Sequence, residues 1–148
     1  MATTPQVEKD RITCHVLDTS VGKPAKGVRV KLELLPSAAA NTPHHHGQVA
    51  GPAKVFESQT DDDGRIKVWL PYSSATSSGE VPVYTLEDVL GEITGATQWV
   101  LRFDTGVYYG PENTFFPEVT VVFRVDEGQH YHVPLLLAPY SYSTYRGS

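Results

Sequence analysis

Two histidines and one arginine stand at positions from which their side chains could do acid–base chemistry. His15 and His132 each lie within a run of alternating apolar residues, and Arg65 directly follows an Asp-Gly turn. A neutral imidazole can take a proton from water near pH 7. A guanidinium presents a planar fork of donors to carbonyl or anionic oxygens. Each residue alone is also an ordinary surface residue of a strand or a turn, so none of the three is specific by itself.

A histidine tract is the second candidate for chemistry. His44, His45 and His46 are consecutive and lie in a stretch rich in Ala, Pro and Gly over residues 36–53. Metal binding is one interpretation of such a tract, and a solvated loop is the other. Adjacent loop positions do not preorganise a tetrahedral site, and no cysteine or acidic residue with ligand spacing accompanies them. We therefore predict no metal and no cofactor.

The segment 139–148 is neither highly charged nor of low complexity, unlike a frayed tail. Aromatic and β-branched residues continue to its last positions. We predict that it is ordered, which brings Arg146 and a carboxylate to the place where the chain ends.

Strands must position these residues. Alternation of apolar and polar residues predicts strands over 12–18, 28–34, 54–59, 65–70, 98–104, 118–125 and 131–138. In the first and the last of them, His15 and His132 point away from the apolar face. Seven or eight short strands with polar turns favour an antiparallel two-sheet sandwich. Both imidazoles then face out of the sandwich.

Three local signals refine this architecture. A capping-box pattern at Thr85 is followed by helical spacing of apolar residues, which predicts one short helix ended by Gly95. Glu127 and Gly128 lie between two strong strands and predict a hairpin. Pro134 cannot donate a ladder hydrogen bond, which places its strand at a sheet edge or at a bulge.

The composition bounds the class of protein. The chain has 148 residues, 40% hydrophobic and 20% charged, which is typical of one globular domain with a single core. No apolar run approaches roughly 18 residues, so we expect no membrane span. A net charge of −5 without a basic cluster makes nucleic acid a poor partner. Cys14 is the only cysteine, which excludes an internal disulfide and favours a reducing compartment.

Four segments resemble the transthyretin-like proteins. Residues 15–30 (HVLDTSVGKPAKGVRV) and 131–143 (YHVPLLLAPYSYS) are similar to the amino- and carboxy-terminal signatures, with Ala138 where Ser is more usual. Residues 61–65 (DDDGR) match the intervening turn, and 145–148 (YRGS) match the terminal tetrapeptide of the family's hydrolases. The likeness implies a domain over residues 11–148 after a flexible N-terminus, 1–10. The hormone carriers have Lys, Glu and Thr at the positions of His15, Arg65 and His132, so this chain resembles the hydrolases.

The resemblance implies an all-β, transthyretin-like sandwich of about eight strands with one short helix. It implies a homotetramer, a dimer of dimers with active sites at the subunit interface. The reaction implied is hydrolysis of 5-hydroxyisourate to 2-oxo-4-hydroxy-4-carboxy-5-ureidoimidazoline in urate degradation. In that reaction His15, Arg65 and His132 would be catalytic, one histidine deprotonating water while the other orients it or the substrate. The substrate-binding residues would be Ser143, Tyr145, Arg146 and Ser148.

Two other functions fit parts of the sequence. The first is a transthyretin-like carrier that binds a small aromatic ligand or hormone without catalysis. The second is a structural sandwich whose histidine-rich loop binds metal. The expected partners are a small-molecule substrate and copies of the chain itself, with no nucleic acid and no membrane. Residues 1–5 lack a secretory pattern and the chain has no Ser-Lys-Leu-type terminus, so we expect the cytoplasm, with the peroxisome as the alternative.

Overall fold

The computed structural model describes residues 9–36, 54–72 and 84–148, and within these ranges the chain forms a sandwich of two sheets. The predicted fold class is therefore confirmed. The strands are β1 (Ile12–Asp18), β2 (Lys23–Pro24), β3 (Arg29–Leu34), β4 (Val55–Gln59), β5 (Arg65–Ile66), β6 (Leu70–Pro71), β7 (Thr97–Phe103), β8 (Val119–Val125), β9 (Tyr131–Ala138) and β10 (Ser141–Thr144). The helices are α1 (Leu86–Glu92), α2 (Thr105–Tyr109) and a 3-10 turn over Pro111–Asn113.

Sheet 1 has the order β10-β9-β1-β2, and β5 also pairs with β1. β1 and β9 run parallel, with Thr13 opposite His132 and His15 opposite Pro134, whereas the other pairs are antiparallel. The one parallel pair was not predicted, because apolar alternation does not encode strand direction. It places His132 beside Thr13, one alternating position away from His15 on the same face.

Sheet 2 has the order β6-β4-β3-β7-β8 and is antiparallel throughout. The single strand predicted over 65–70 is split between the sheets, because β5 belongs to sheet 1 and β6 to sheet 2. Between them the indole of Trp69 is buried, and its Nε1 donates to the carbonyl of Ile12 over 2.8 Å. Arg65 is therefore held in sheet 1 by a strand of only two residues.

The core lies between the sheets and fixes which side chains face outward. Ile12, Cys14 and Val16 of β1 are fully buried there. They pack with apolar residues of the other strands, including Val30, Leu32, Phe56, Trp99, Leu101, Phe103, Leu135 and Leu137. Each such aliphatic side chain stabilises the fold by roughly 1.5–3 kcal/mol. A slip of one residue would put His15 into this core, so the register of β1 is strongly specified.

The helices fit the predicted signals in part. α1 has the predicted capping box, in which Thr85 Oγ1 accepts from the Asp88 amide over 3.1 Å and the Asp88 carboxylate accepts from the Thr85 amide over 2.9 Å. The helix ends at Glu92, before Gly95. α2 was not predicted, because five residues are too few to show a helical period. None of the helices in the described ranges is long and apolar enough to cross a membrane.

Two local predictions were wrong. The turn at Glu127 and Gly128 does not close a hairpin, because β8 belongs to sheet 2 and β9 to sheet 1, so it connects the two sheets. Pro134 lies on an interior strand rather than at an edge. Its carbonyl accepts from Thr144 Oγ1 over 2.7 Å, on the side of β9 where pairing with β10 ends. Because pairing with β10 has ended at this position, the amide hydrogen that Pro134 lacks leaves no gap in the hydrogen bonds between the two strands.

Candidate active site

Three strands bring the predicted catalytic residues together on the outer face of sheet 1. His15 of β1 and Arg65 of β5 are directly opposite each other in an antiparallel pair, so their side chains share this face. His132 projects from β9 on the other side of β1. The two imidazole centroids are 6.3 Å apart, with an angle of 34° between the rings. Residues that are far apart in the sequence thus form one cluster.

A cavity of about 230 Å³ opens beside this cluster. Its wall includes Arg65, His132 and Ser148, and His15 lies next to it rather than in the wall. The charged and titratable side chains around it are mostly basic: Lys9, Arg11, Lys67 and His130, with Asp10 as the acidic one. A concave site with an excess of positive charge attracts anionic or oxygen-rich small molecules.

The turn before β5 sets the position of Arg65. The side chain of Asp61 accepts hydrogen bonds from the amides of Asp63 and Arg65, each over 2.9 Å. Gly64 adopts φ +73°, and a Cβ there would collide with the carbonyl oxygen of Val16. Only glycine fits this position, because the backbone is left-handed and β1 approaches it closely.

Replacing Gly64 with alanine should therefore lower the free energy of unfolding by about 3 kcal/mol or more, since the strain of a left-handed backbone adds to a collision with the main chain. Urea denaturation measures this loss. Gly22→Ala is the matched control: Gly22 has φ +66° but no atom within 4 Å of the added Cβ. It should cost roughly 1–2 kcal/mol. Equal losses in the two variants would show that the close approach to Val16 is unimportant.

His132 is the more enclosed of the two imidazoles, with protein atoms on two sides of its ring. Its Nδ1 lies 2.8 Å from Thr13 Oγ1. A Cβ added to Gly147 would lie 2.7 Å from its Cδ2. Partial burial lowers the pKa of His132, and the positive charges of Arg65, His15 when protonated, and Lys9 lower it further. The imidazole is therefore neutral at pH 7.

His15 has a similar electrostatic environment. Partial burial and the neighbouring Arg65 guanidinium lower its pKa, while a hydrogen bond to the Asp63 backbone and the charges of Asp61 and Asp63 act in the opposite direction. The net shift is downward from 6.5. Both imidazoles are thus neutral near pH 7, the state in which each can accept a proton.

The pH dependence of catalysis follows from these directions. An imidazole that acts as a base is inactive when protonated, so kcat/KM should fall as the pH drops through the pKa of the free protein. Because both pKa values lie below 6.5, the midpoint of that fall should also lie below pH 6.5. Initial rates between pH 5 and pH 8 test this. A midpoint above pH 7 would contradict the assignment of a neutral, cation-flanked histidine as the base.

The segment that follows β10 lies along β9 and reaches the cavity. The Gly147 amide donates to the His132 carbonyl over 2.8 Å, and Ser148 lines the cavity wall. The Arg146 guanidinium lies over the ring of Tyr131, 5.0 Å from its centroid, rather than in the cavity. Tyr145 is 58% exposed, and Ser143 is exposed on β10 opposite Leu136. Of the four predicted substrate-binding residues, the structure brings only Ser148 to the cavity with Arg65 and His132.

Two residues beside His132 were not singled out from the sequence. Thr13 lies two residues before His15 in the same strand, so both side chains must be on one face of the sheet. That spacing could have identified Thr13 from the sequence. Gly147 gave no signal, because its importance depends on how the last residues run along β9. The histidine tract 44–46 lies outside the described residues. Within the described ranges, no group of three or more His, Cys, Asp or Glu side chains is placed to hold a metal ion.

Comparison with known proteins identifies the family and gives the same fold. The model of the HIUase/Transthyretin family matches residues 12–147. A protein of Schizosaccharomyces pombe described as a probable 5-hydroxyisourate hydrolase is 35% identical, over 97% of this chain and 96% of its own. The 5-hydroxyisourate hydrolase of Mesorhizobium japonicum is 36% identical over the full length of both chains. The structure of Klebsiella pneumoniae 5-hydroxyisourate hydrolase superposes with a TM-score of 0.57 at 27% identity, covering 93% of this chain and 98% of the other.

The sandwich and its outward-facing histidines define a transthyretin-like protein with a polar site on one sheet. The family match covers nearly the whole chain. The protein belongs to the HIUase/Transthyretin family.

Proposed function

We propose that the protein is an enzyme that hydrolyses 5-hydroxyisourate in urate degradation. The observation that carries this proposal is the convergence of His15, Arg65 and His132 beside a cavity, in a chain whose relatives of matching length are named for that activity. A carrier needs no proton acceptor. Two neutral imidazoles flanked by a guanidinium are a catalytic set rather than a lining for an aromatic ligand.

The separation of the imidazoles supports a role for both in handling one water molecule. At 6.3 Å between centroids, the rings are too far apart for a direct hydrogen bond. A water oxygen between them can contact both. One imidazole removes a proton from that water as its oxygen bonds to a ring carbonyl carbon of the substrate. The carbon–nitrogen bond then breaks, the electron pair stays on nitrogen, and the nitrogen takes up the proton that the imidazole removed from water.

Arg65 and Ser148 support the same step from the cavity wall. Arg65 lines the cavity, and in this mechanism its guanidinium stabilises the negative charge that develops on the carbonyl oxygen; one such donor is worth on the order of 10²–10³ in rate. Ser148 lies in the same wall, and its hydroxyl would be a second donor. Substrate contacts by Ser143, Tyr145 and Arg146 stay predictions.

We also propose that the domain, residues 11–148, assembles as a homotetramer with its sites at the subunit interface. Among the described strands, β8 and β10 are edge strands of their sheets, and unpaired edges favour pairing with another chain. Large apolar side chains are exposed on or near these edges: Val122, Phe115, Tyr140 and Tyr142. Half-buried Leu17 and Leu136 lie on the same face as the histidines, which favours burial of that face between subunits.

We propose that the assembled protein is cytoplasmic, with the peroxisome as the alternative.

A spectrophotometric assay with freshly prepared 5-hydroxyisourate tests the function. The protein should accelerate decay of the substrate well above its spontaneous rate, and Arg65→Gln should lower kcat/KM by about 10²–10³-fold. Arg29→Gln is the matched control, because Arg29 is exposed on β3 of sheet 2 and far from the site. A wild-type protein that binds small aromatic ligands but leaves the decay rate unchanged would favour the carrier instead.

A further inference from the structure

The hydroxyl of Thr13 lies against one nitrogen of His132 in a geometry that restricts how this imidazole carries its proton. Thr13 and His132 are directly opposite in the parallel β1–β9 pair, so their side chains stand next to each other. Thr13 Oγ1 is 2.8 Å from His132 Nδ1. The same hydroxyl donates to the Tyr131 carbonyl over 3.4 Å. Thr13 of β1 thus contacts both the His132 ring and the backbone of β9, the strand that carries His132.

The tautomer of His132 depends on where the hydroxyl of Thr13 directs its one hydrogen. A hydroxyl has one hydrogen to donate and two lone pairs. When the hydroxyl of Thr13 donates its hydrogen to the Tyr131 carbonyl, its oxygen accepts the bond from His132, and Nδ1 carries the proton. In a neutral imidazole the other nitrogen, Nε2, then has a free lone pair. Because His132 lines the cavity, that lone pair is available to a water molecule or a substrate proton.

The opposite edge of the ring is held by the backbone after β10. Gly147 packs against His132 so closely that a Cβ would come within 2.7 Å of Cδ2 and 3.1 Å of the His132 carbonyl oxygen. The Gly147 amide also donates to that carbonyl. Cδ2 is bonded to Nε2, so the Gly147 backbone lies beside the edge of the ring that carries Nε2, with no room there for a side chain.

We propose that Thr13 is a positioning residue that keeps His132 in the Nδ1-protonated tautomer, with Gly147 limiting the orientation of its ring, so that His132 rather than His15 is the general base. This inference rests on the proposed hydrolase function for its kinetic consequence. Its structural part, the tautomer of His132, does not depend on any activity. Thr13 acts only through His132 and is not itself a catalytic residue.

Nitrogen-15 NMR of the imidazoles in the resting protein tests the structural part directly. At pH 7.5 the wild type should show His132 with a protonated Nδ1 and an unprotonated Nε2. Thr13→Val, which keeps the shape but removes the hydroxyl, should shift His132 toward the Nε2-protonated tautomer. Thr13→Ser keeps the hydroxyl and should restore the wild-type spectrum. An Nε2-protonated His132 in the wild type, whether or not the protein hydrolyses 5-hydroxyisourate, would overturn the proposal.

The kinetic part is tested with the same variants. Thr13→Val should lower kcat by about 10–100-fold, the usual loss when a residue that orients a functional imidazole is removed, with little change in KM. Thr13→Ser should recover activity to within a few-fold. Thr94→Val, at an exposed threonine between α1 and β7, is the control and should match the wild type. A Thr13→Val enzyme with wild-type kcat and a wild-type His132 spectrum would refute the positioning role.

Gly147→Ala gives an independent measurement if Thr13→Val fails to fold. The added methyl should displace the His132 ring, change its resonances and lower kcat. Gly91→Ala, in α1 with open space around the added Cβ, should do neither. If the wild type shows no hydrolysis while His132 keeps the expected tautomer, the proposed function fails and the positioning inference stands. If hydrolysis is normal and the tautomer is the opposite one, only the inference fails.

Discussion

His132→Asn and His15→Asn are each expected to lower kcat for 5-hydroxyisourate by about 10²–10⁴-fold, the range that general acid–base catalysis contributes. The larger loss should belong to His132, because it lines the cavity and its Nδ1 contacts Thr13, which leaves Nε2 as the nitrogen that can act as the base. Both side chains face out of the sandwich, so neither substitution opens a cavity in the core. Steady-state kinetics together with a thermal unfolding curve measure both effects.

The double variant provides a further check on the two histidines. If both act on one water molecule, the combined loss should be much smaller than the product of the single losses, because residues that work as a unit are not additive. His45→Asn, in the histidine tract, is the control and should have wild-type kinetics. A single-histidine variant that folds and turns over at the wild-type rate would remove that residue from the mechanism.

Deleting residues 145–148 is expected to reduce kcat/KM at least about 100-fold while the sandwich stays folded. The deletion removes Ser148 from the cavity wall and the Gly147 backbone from beside His132. If the Ser148 hydroxyl is an oxyanion donor, its loss alone costs on the order of 10²–10³ in rate. It also removes one backbone hydrogen bond and one exposed cation–π interaction, which together stabilise the fold by about 1–2 kcal/mol. Kinetics and urea denaturation measure the two effects separately.

Single substitutions separate the side chains from the segment. Ser148→Ala should reproduce a large part of the loss, whereas Ser143→Ala, exposed on β10, tests whether that residue contacts substrate at all. Sedimentation of the truncated protein should give the same oligomeric state as the full-length protein, because the exposed edge strands are unchanged. A truncated enzyme with full activity would show that the segment is passive.

The outward direction of both histidines could be predicted, because the buried partners of β1 and β9 alternate with them in the sequence. Their proximity to Arg65 could not be predicted from alternation. It depends on the parallel pairing of β1 with β9 and on a two-residue strand, β5, neither of which has a local signature. The resemblance to the transthyretin-like proteins supplied that information in advance.

Local turn signals were less reliable where tertiary packing decided the outcome. Glu127 and Gly128 form a turn that any hairpin could use, but the chain uses it to cross between sheets. Pro134 lacks an amide hydrogen, yet an interior strand accepts it because β10 stops at that point. The contacts of Thr13 and Gly147 with His132 depend on side-chain and backbone distances that no pattern in the sequence reports.

The parallel pairing of β1 with β9 has a consequence for biosynthesis. Thr13 and His132 are 119 residues apart in the chain, and contacts between such distant segments form late and slowly during folding. A nascent chain in which β9 has not docked beside β1 therefore lacks the contact between Thr13 and His132. If His132 is the general base, we expect unfinished or prematurely released chains to be inactive toward the substrate even when their first strands have folded.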